Sequence, residues 1–113
     1  MTTLNVEATE MHANICQALA DPKRILILYA LAEMEQTGSD LSENFGIPQS
    51  TISRHLKILR ERGLVVGYRD GMNKVYALTD RRVIDVLDTM RNLLADLLNQ
   101  SASVMAGDEV PVP

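Results

Sequence analysis

The chain has 113 residues, 46% of them hydrophobic, with one cysteine and two histidines, which suits one compact domain with a modest core. Cys16 alone excludes an internal disulfide and any multi-cysteine metal cage within one chain, and the scarcity of nucleophiles and histidines, with no Gly-rich phosphate loop, argues against an enzyme. A net charge of −4 argues against a uniformly basic nucleic-acid binder, and the lack of a long apolar run or a secretory signal predicts a cytoplasmic protein that does not enter a membrane.

The first expected element is a helix over residues 5–20, on which Met11, Ile15, Ala18 and Leu19 form an apolar face. Asp21-Pro22 then reads as an N-cap followed by proline at the first helical position. It opens a helix through Ile25-Leu26-Ile27-Leu28-Tyr29-Ala30-Leu31, apolar on nearly all sides and expected to be central and buried. A short helix should follow at Ser39–Phe45, capped by Ser39, with Leu41 and Phe45 on one side.

The run Pro48–Gly63 carries the most information. Gly46-Ile47-Pro48 supplies a turn with proline near the helix start, and Gly63 stands where a left-handed residue would end the helix, after Arg60 and Arg62. At about 100° per residue, Ile52, Leu56 and Leu59 make one stripe while Ser50, Ser53, Arg54 and Lys57 gather opposite. Hydroxyls beside Arg and Lys suit the groove of duplex DNA, and two helices joined by a Gly-containing turn are a helix-turn-helix. Arg54 is the candidate base reader, because its planar fork can address guanine, with Gln49, Ser50 and Ser53 as adaptable partners. His55 borders the packing stripe and joins the contact set as a residue that could anchor the helix or donate to a phosphate.

Two β-favouring runs, Leu64–Arg69 and Lys74–Leu78, flank the turn-rich Asp70-Gly71-Met72-Asn73 and predict a hairpin, with Arg69 and Lys74 beside its tip as phosphate contacts. A last helix over 80–100, capped by Thr79 or Asp80, repeats Val83, Leu87, Met90, Leu94 and Leu97 at spacings that make a seam for another helix. With Met11 and Ile15 these form the expected dimer interface, although the last helix could instead fold back on its own chain. Residues 101–113 read as a disordered tail.

The charge is unevenly placed. From Pro48 to Arg82 eight cations meet three acids, a net +5, while the remainder carries three cations against twelve acids, a net −9. A basic patch on an acidic body admits DNA at one face and repels it elsewhere.

The order of elements resembles the ArsR/SmtB family of small dimeric winged-helix repressors. The resemblance rests on Leu19-Ala20-Asp21-Pro22-Lys23-Arg24, Ser50-Thr51-Ile52-Ser53-Arg54-His55-Leu56-Lys57-Ile58-Leu59-Arg60 and Gly63-Leu64-Val65, and covers roughly residues 10–100. It implies a mainly α fold with a small β-hairpin, in the order α-α-α-α-β-β-α, dimeric through the first and last helices. The whole of 1–113 is then a single winged-helix domain, with 5–20 and 80–100 as dimerisation helices. It also implies a repressor that leaves a palindromic operator when a metal ion or chemical signal arrives.

The family's metal sites are where this chain departs. Thr37 and Ser39 stand where metal-sensing members place two cysteines, and neither hydroxyl replaces a thiolate for a soft metal. In the other family site, Asp80 and Asp96 fit two positions while Arg82 and Leu93 occupy the rest, so no metal is expected at the family sites and no cofactor is called for. His12 and Cys16, four residues apart on one helix face, remain the effector candidates, as shared ligands or as a thiol tuned by its histidine; the alternative is a small packed cysteine and an exposed histidine. A protein-docking module using the same fold without touching DNA is the rival reading.

Overall fold

A computed structural model describes residues 2–105, which divide into two units: one ending at Arg81 and a long helix beginning at Arg82. In the first unit, helix α1 (Thr2–Met11) continues into a five-residue π-helical segment, His12–Cys16. Helix α2 spans Pro22–Glu33, strand β1 Gln36–Thr37, helix α3 Gly38–Phe45 and helix α4 Gln49–Glu61. Strands β2 (Val65–Asp70) and β3 (Asn73–Leu78) complete the unit, and helix α5 (Arg82–Met105) is the second. The mainly helical plan with a small antiparallel hairpin is as expected.

Local chemistry sets the boundaries. Asp21 is the N-cap of α2, its carboxylate accepting from the Lys23 backbone N–H at 2.8 Å, with Pro22 in the first turn. The start of α3 corrects the sequence reading: Thr37, not Ser39, is the N-cap. Its hydroxyl accepts from the Asp40 N–H while the Asp40 carboxylate accepts from the Thr37 N–H, a reciprocal capping box that shifts the helix start two residues earlier. Pro48, expected near the start of α4, is its N-cap. Gly63 ends α4 in a left-handed conformation, φ +78°, with the Leu64 N–H bonded to the Leu59 carbonyl and the Gly63 N–H to that of Arg60. This paired closure satisfies carbonyls that the helix end would otherwise leave unbonded.

The sheet order is β1-β3-β2, all antiparallel. Asp70 faces Asn73 across a two-residue turn, and positive φ at Gly71 but not Met72 is the pattern of a II′ hairpin, whose twist matches its strands. Strand β1 has no counterpart in the sequence reading, since two residues are too few to show alternation. It pairs Gln36 with Tyr76 and Thr37 with Val75, so the residue that caps α3 also stands in register with the β2–β3 hairpin, the wing.

The core of the first unit is built by Ile27, Leu28 and Leu31 of α2, Leu41 of α3, and Ile52, Leu56 and Leu59 of α4, closed by Val65 and Ala77 of the sheet. Helix α2 is less enclosed than its composition suggests. Leu26 is 50% exposed, because a helix packed on one side leaves part of its circumference in solvent whatever residues it carries. Gln36 is a buried polar group: its Nε2 donates to the carbonyls of Ala30 (3.1 Å) and Met34 (3.4 Å), and its Oε1 accepts from Asn44 Nδ2 at 2.9 Å. These bonds join the end of α2, β1 and α3. Gln36→Ala is expected to lower unfolding stability by about 1–3 kcal/mol, the usual cost of stranding buried polar partners, seen as a shifted urea midpoint at unchanged slope.

Helix α5 has 24 residues, so it is about 36 Å long. It runs through Met105, which makes the first five residues of the expected tail helical; 106–113 lie outside the described residues. Ile84 and Leu87 are buried within the single chain, while Val86, Met90, Leu93, Leu94, Leu97 and Leu98 are each half or more exposed.

Candidate nucleic-acid interface

Helix α4 separates its two faces as its periodicity requires. Ile52, His55, Leu56 and Leu59 are buried, while Gln49, Ser50, Ser53, Arg54 and Lys57 are exposed together. The helix is held against α3 by the Gly46 turn, where the Ser42 hydroxyl donates to the Ile47 carbonyl at 2.5 Å, and by Gln49 Nε2 donating to Ser39 Oγ at 3.1 Å. Lys57 lies 3.9 Å from Glu61, but both are exposed, so the pair is screened and leaves the ammonium available to a phosphate.

The wing supplies the second set of cations. Arg69 and Lys74 are exposed and directly opposite each other in the β2–β3 register. Like charges facing across a strand pair repel, an arrangement relieved by an anion between them. Between the wing, the start of α3 and the first turns of α4 lies a cleft of ≈ 420 Å³, lined among others by Ser39, Gln49, Ser53, Asn73, Lys74 and Tyr76. Gln49, Ser53 and Lys74 were expected here. Ser39, Asn73 and Tyr76 were not, since only the fold brings them beside the recognition helix.

His55 is corrected. It is 4% exposed and does not share the outward face of Arg54. Its Nδ1 lies 3.3 Å from Arg24 Nη1 and its Nε2 4.0 Å from Asp21 Oδ2. A guanidinium can only donate, so Nδ1 must accept and the proton belongs on Nε2. Burial, foremost, holds the imidazole below its ordinary value, aided by the charges of Arg24, Arg54 and Lys23 and opposed by Asp21. Asp21 is lowered chiefly by its bond from the Lys23 N–H, with His55, Arg24 and Lys23 adding to this against partial burial. Arg24 also donates through Nε to the Ala18 carbonyl (2.7 Å) and through Nη2 to the Gln17 carbonyl (3.2 Å), so one guanidinium joins the chain after the π segment to the recognition helix. Arg62, at the other end of α4, donates to the Ala13 carbonyl at 2.7 Å.

The remaining expected residues fall in three groups. Met11, Ile15, Met90, Leu94 and Leu97 are exposed and free to meet another chain, and Val83 is half-buried. Leu87 is corrected: at 3% exposure it is already buried in the single chain, although it shares the helical stripe of Leu94 and Leu98. The π-helical segment holds both His12 and Cys16, and both are exposed, so the cysteine is not a packed core residue. Among the described residues no cluster of three or more His, Cys, Asp or Glu could hold a metal ion, and no helix is long and apolar enough to cross a membrane.

Known proteins share this arrangement. Residues 21–66 match the sequence model of the bacterial regulatory protein arsR family. The chain is 42% identical over 85 residues to the HTH-type transcriptional regulator NmtR of Mycobacterium tuberculosis, covering 75% of this chain and 71% of that protein. It is 38% identical to a probable mercury resistance operon repressor of Streptomyces lividans, over 74% of this chain and 67% of that one. The crystal structure of NolR from Sinorhizobium fredii superposes with a TM-score of 0.71 at 32% identity, covering 79% of this chain and 89% of that chain.

Proposed function

Because the chain belongs to the arsR family of bacterial regulatory proteins, we propose that it is a dimeric transcriptional repressor that binds a palindromic operator and is released by a chemical signal. It acts in the cytoplasm and is not an enzyme. The observation that carries this reading is the exposed face of α4, where Ser50, Ser53, Arg54 and Lys57 stand clear of the buried stripe, with Arg69 and Lys74 of the wing as flanking cations. In this reading α4 enters the major groove, Arg54 reads bases with Gln49, Ser50 and Ser53, and Lys57, Arg69 and Lys74 neutralise phosphates. Dimerisation joins the exposed faces of α5 from two copies, with the first helix contributing, and sets two recognition helices one turn of DNA apart. His12 and Cys16, both exposed on the π-helical segment, are the candidate residues for receiving that signal.

The test is salt-dependent binding to a fragment upstream of the protein's own operon, against a scrambled duplex. Arg54→Ala is expected to lower affinity for the specific fragment by about 1–3 kcal/mol, while Lys74→Ala weakens both duplexes alike and reduces the salt slope by about 1. Equal loss on both duplexes for Arg54→Ala would contradict its base-reading role.

A further inference from the structure

Gly67 lies in the middle of β2, directly opposite Tyr76 of β3. Glycine weakens a strand interior, so its presence needs a reason. Unlike Gly46, Gly63 and Gly71, it does not have a positive φ, and the backbone there would accept any residue. Close approach supplies the reason. A Cβ at Gly67 would stand 2.9 Å from Lys74 Cε and 3.3 Å from Tyr76 Cε1. Strand alternation puts residues 67, 69, 74 and 76 on one face of the sheet. The Lys74 stem therefore crosses bare backbone, and its Nζ sits 5.6 Å from the centroid of the Tyr76 ring.

We infer that Gly67 is a positioning residue for DNA binding: by leaving out a side chain it lets Lys74 pack onto Tyr76, holding the ammonium at the cleft that Gln49 and Ser53 line from α4. A lysine held this way has less rotamer freedom to lose when it meets a phosphate than one extended into solvent. Its fixed place also keeps the Lys74 charge at a defined separation from the recognition helix. The inference rests on the DNA-binding reading above, and its test has one arm that needs no DNA.

In the free full-length protein, the ε-methylene resonances of Lys74 are expected upfield of those of Lys23 and Lys57 through the ring current of Tyr76. Gly67→Ala should move them to ordinary lysine values and weaken binding to the specific fragment by about two- to fivefold, the worth of one exposed cation–π contact. Lys74→Ala should then cost less in the Gly67→Ala background than in the wild type, which a merely structural defect would not produce. Tyr76→Leu, which adds no atom to β2, should release Lys74 in the same way and decides the matter if Gly67→Ala does not fold. Unchanged Lys74 resonances, or equal losses from Lys74→Ala in both backgrounds, would overturn the inference. Upfield resonances in a wild type that binds no duplex would instead overturn the DNA reading and leave Gly67 a residue of the wing alone.

Discussion

Leu94→Asp is expected to yield a monomer and to weaken operator binding by about 10²- to 10⁴-fold, the factor gained when two linked modules engage two adjacent sites. Leu94 is 57% exposed in the single chain, within a row of six apolar side chains from Val86 to Leu98 that runs about half the length of α5. A contiguous apolar row of this kind on a small protein marks an interaction surface, and burying a leucine contributes roughly 1.5–3 kcal/mol. Aspartate at this position would forfeit that contribution in both copies. In a two-fold pairing it would also place two carboxylates in a seam closed to water, where neither could be paired. Sedimentation would report the change in mass and fluorescence anisotropy the loss of binding. Leu94→Met, nearly isosteric, should retain both properties. A dimer that survives Leu94→Asp would place the interface elsewhere, and normal operator binding by the monomer would remove the need for a paired site.

The faces of α4 could be read from sequence because burial there follows a single helical period, with Ile52, Leu56 and Leu59 inward and Ser50, Ser53, Arg54 and Lys57 outward. The hairpin was legible for a related reason: two β-favouring runs around a Gly-containing turn leave few alternatives, and the observed strands fall within one residue of those expected. What escaped depended on residues far apart in the chain. His55 borders the apolar stripe, and only Arg24, 31 residues earlier, decides that it is a buried acceptor rather than a phosphate donor. Leu87 fits the heptad-like spacing of the exposed row, but spacing alone does not say which members of that row are already buried in the single chain. The capping box at Thr37 uses Asp40 where the commoner partner is Glu or Gln, and β1 is visible only through its pairing with β3. The Gly67–Lys74–Tyr76 contact likewise depends on strand register, which residue types alone leave open.

The second large effect is expected at Arg24, whose guanidinium bonds the Gln17 and Ala18 carbonyls and His55 Nδ1 at once. Arg24→Met keeps much of the stem but removes every donor, and should cost about 3 kcal/mol in unfolding stability, as expected when hydrogen bonds to a charged, largely buried group are lost. The same contact makes stability depend on pH. His55 must be neutral to accept from Arg24, and its folded-state pKa lies below the ordinary histidine value of about 6.5. Below that value the unfolded chain binds a proton that the folded chain resists, so the unfolded state carries more protons and stability rises with pH in this window. The contribution is therefore complete above about pH 6.5 and is lost as pH falls through the folded-state value. Urea denaturation at pH 7.5 and 5.0 should show a larger loss for the wild type than for His55→Asn, whose amide oxygen can still accept from Arg24 but does not titrate. Because Arg24 spans the chain after the π segment and the recognition helix, Arg24→Met should also reduce operator affinity at a temperature where the protein remains folded, through looser placement of α4. Equal pH dependence in the wild type and His55→Asn would show that other groups carry the acid sensitivity. Wild-type affinity in folded Arg24→Met would show that α4 is placed by its apolar stripe alone.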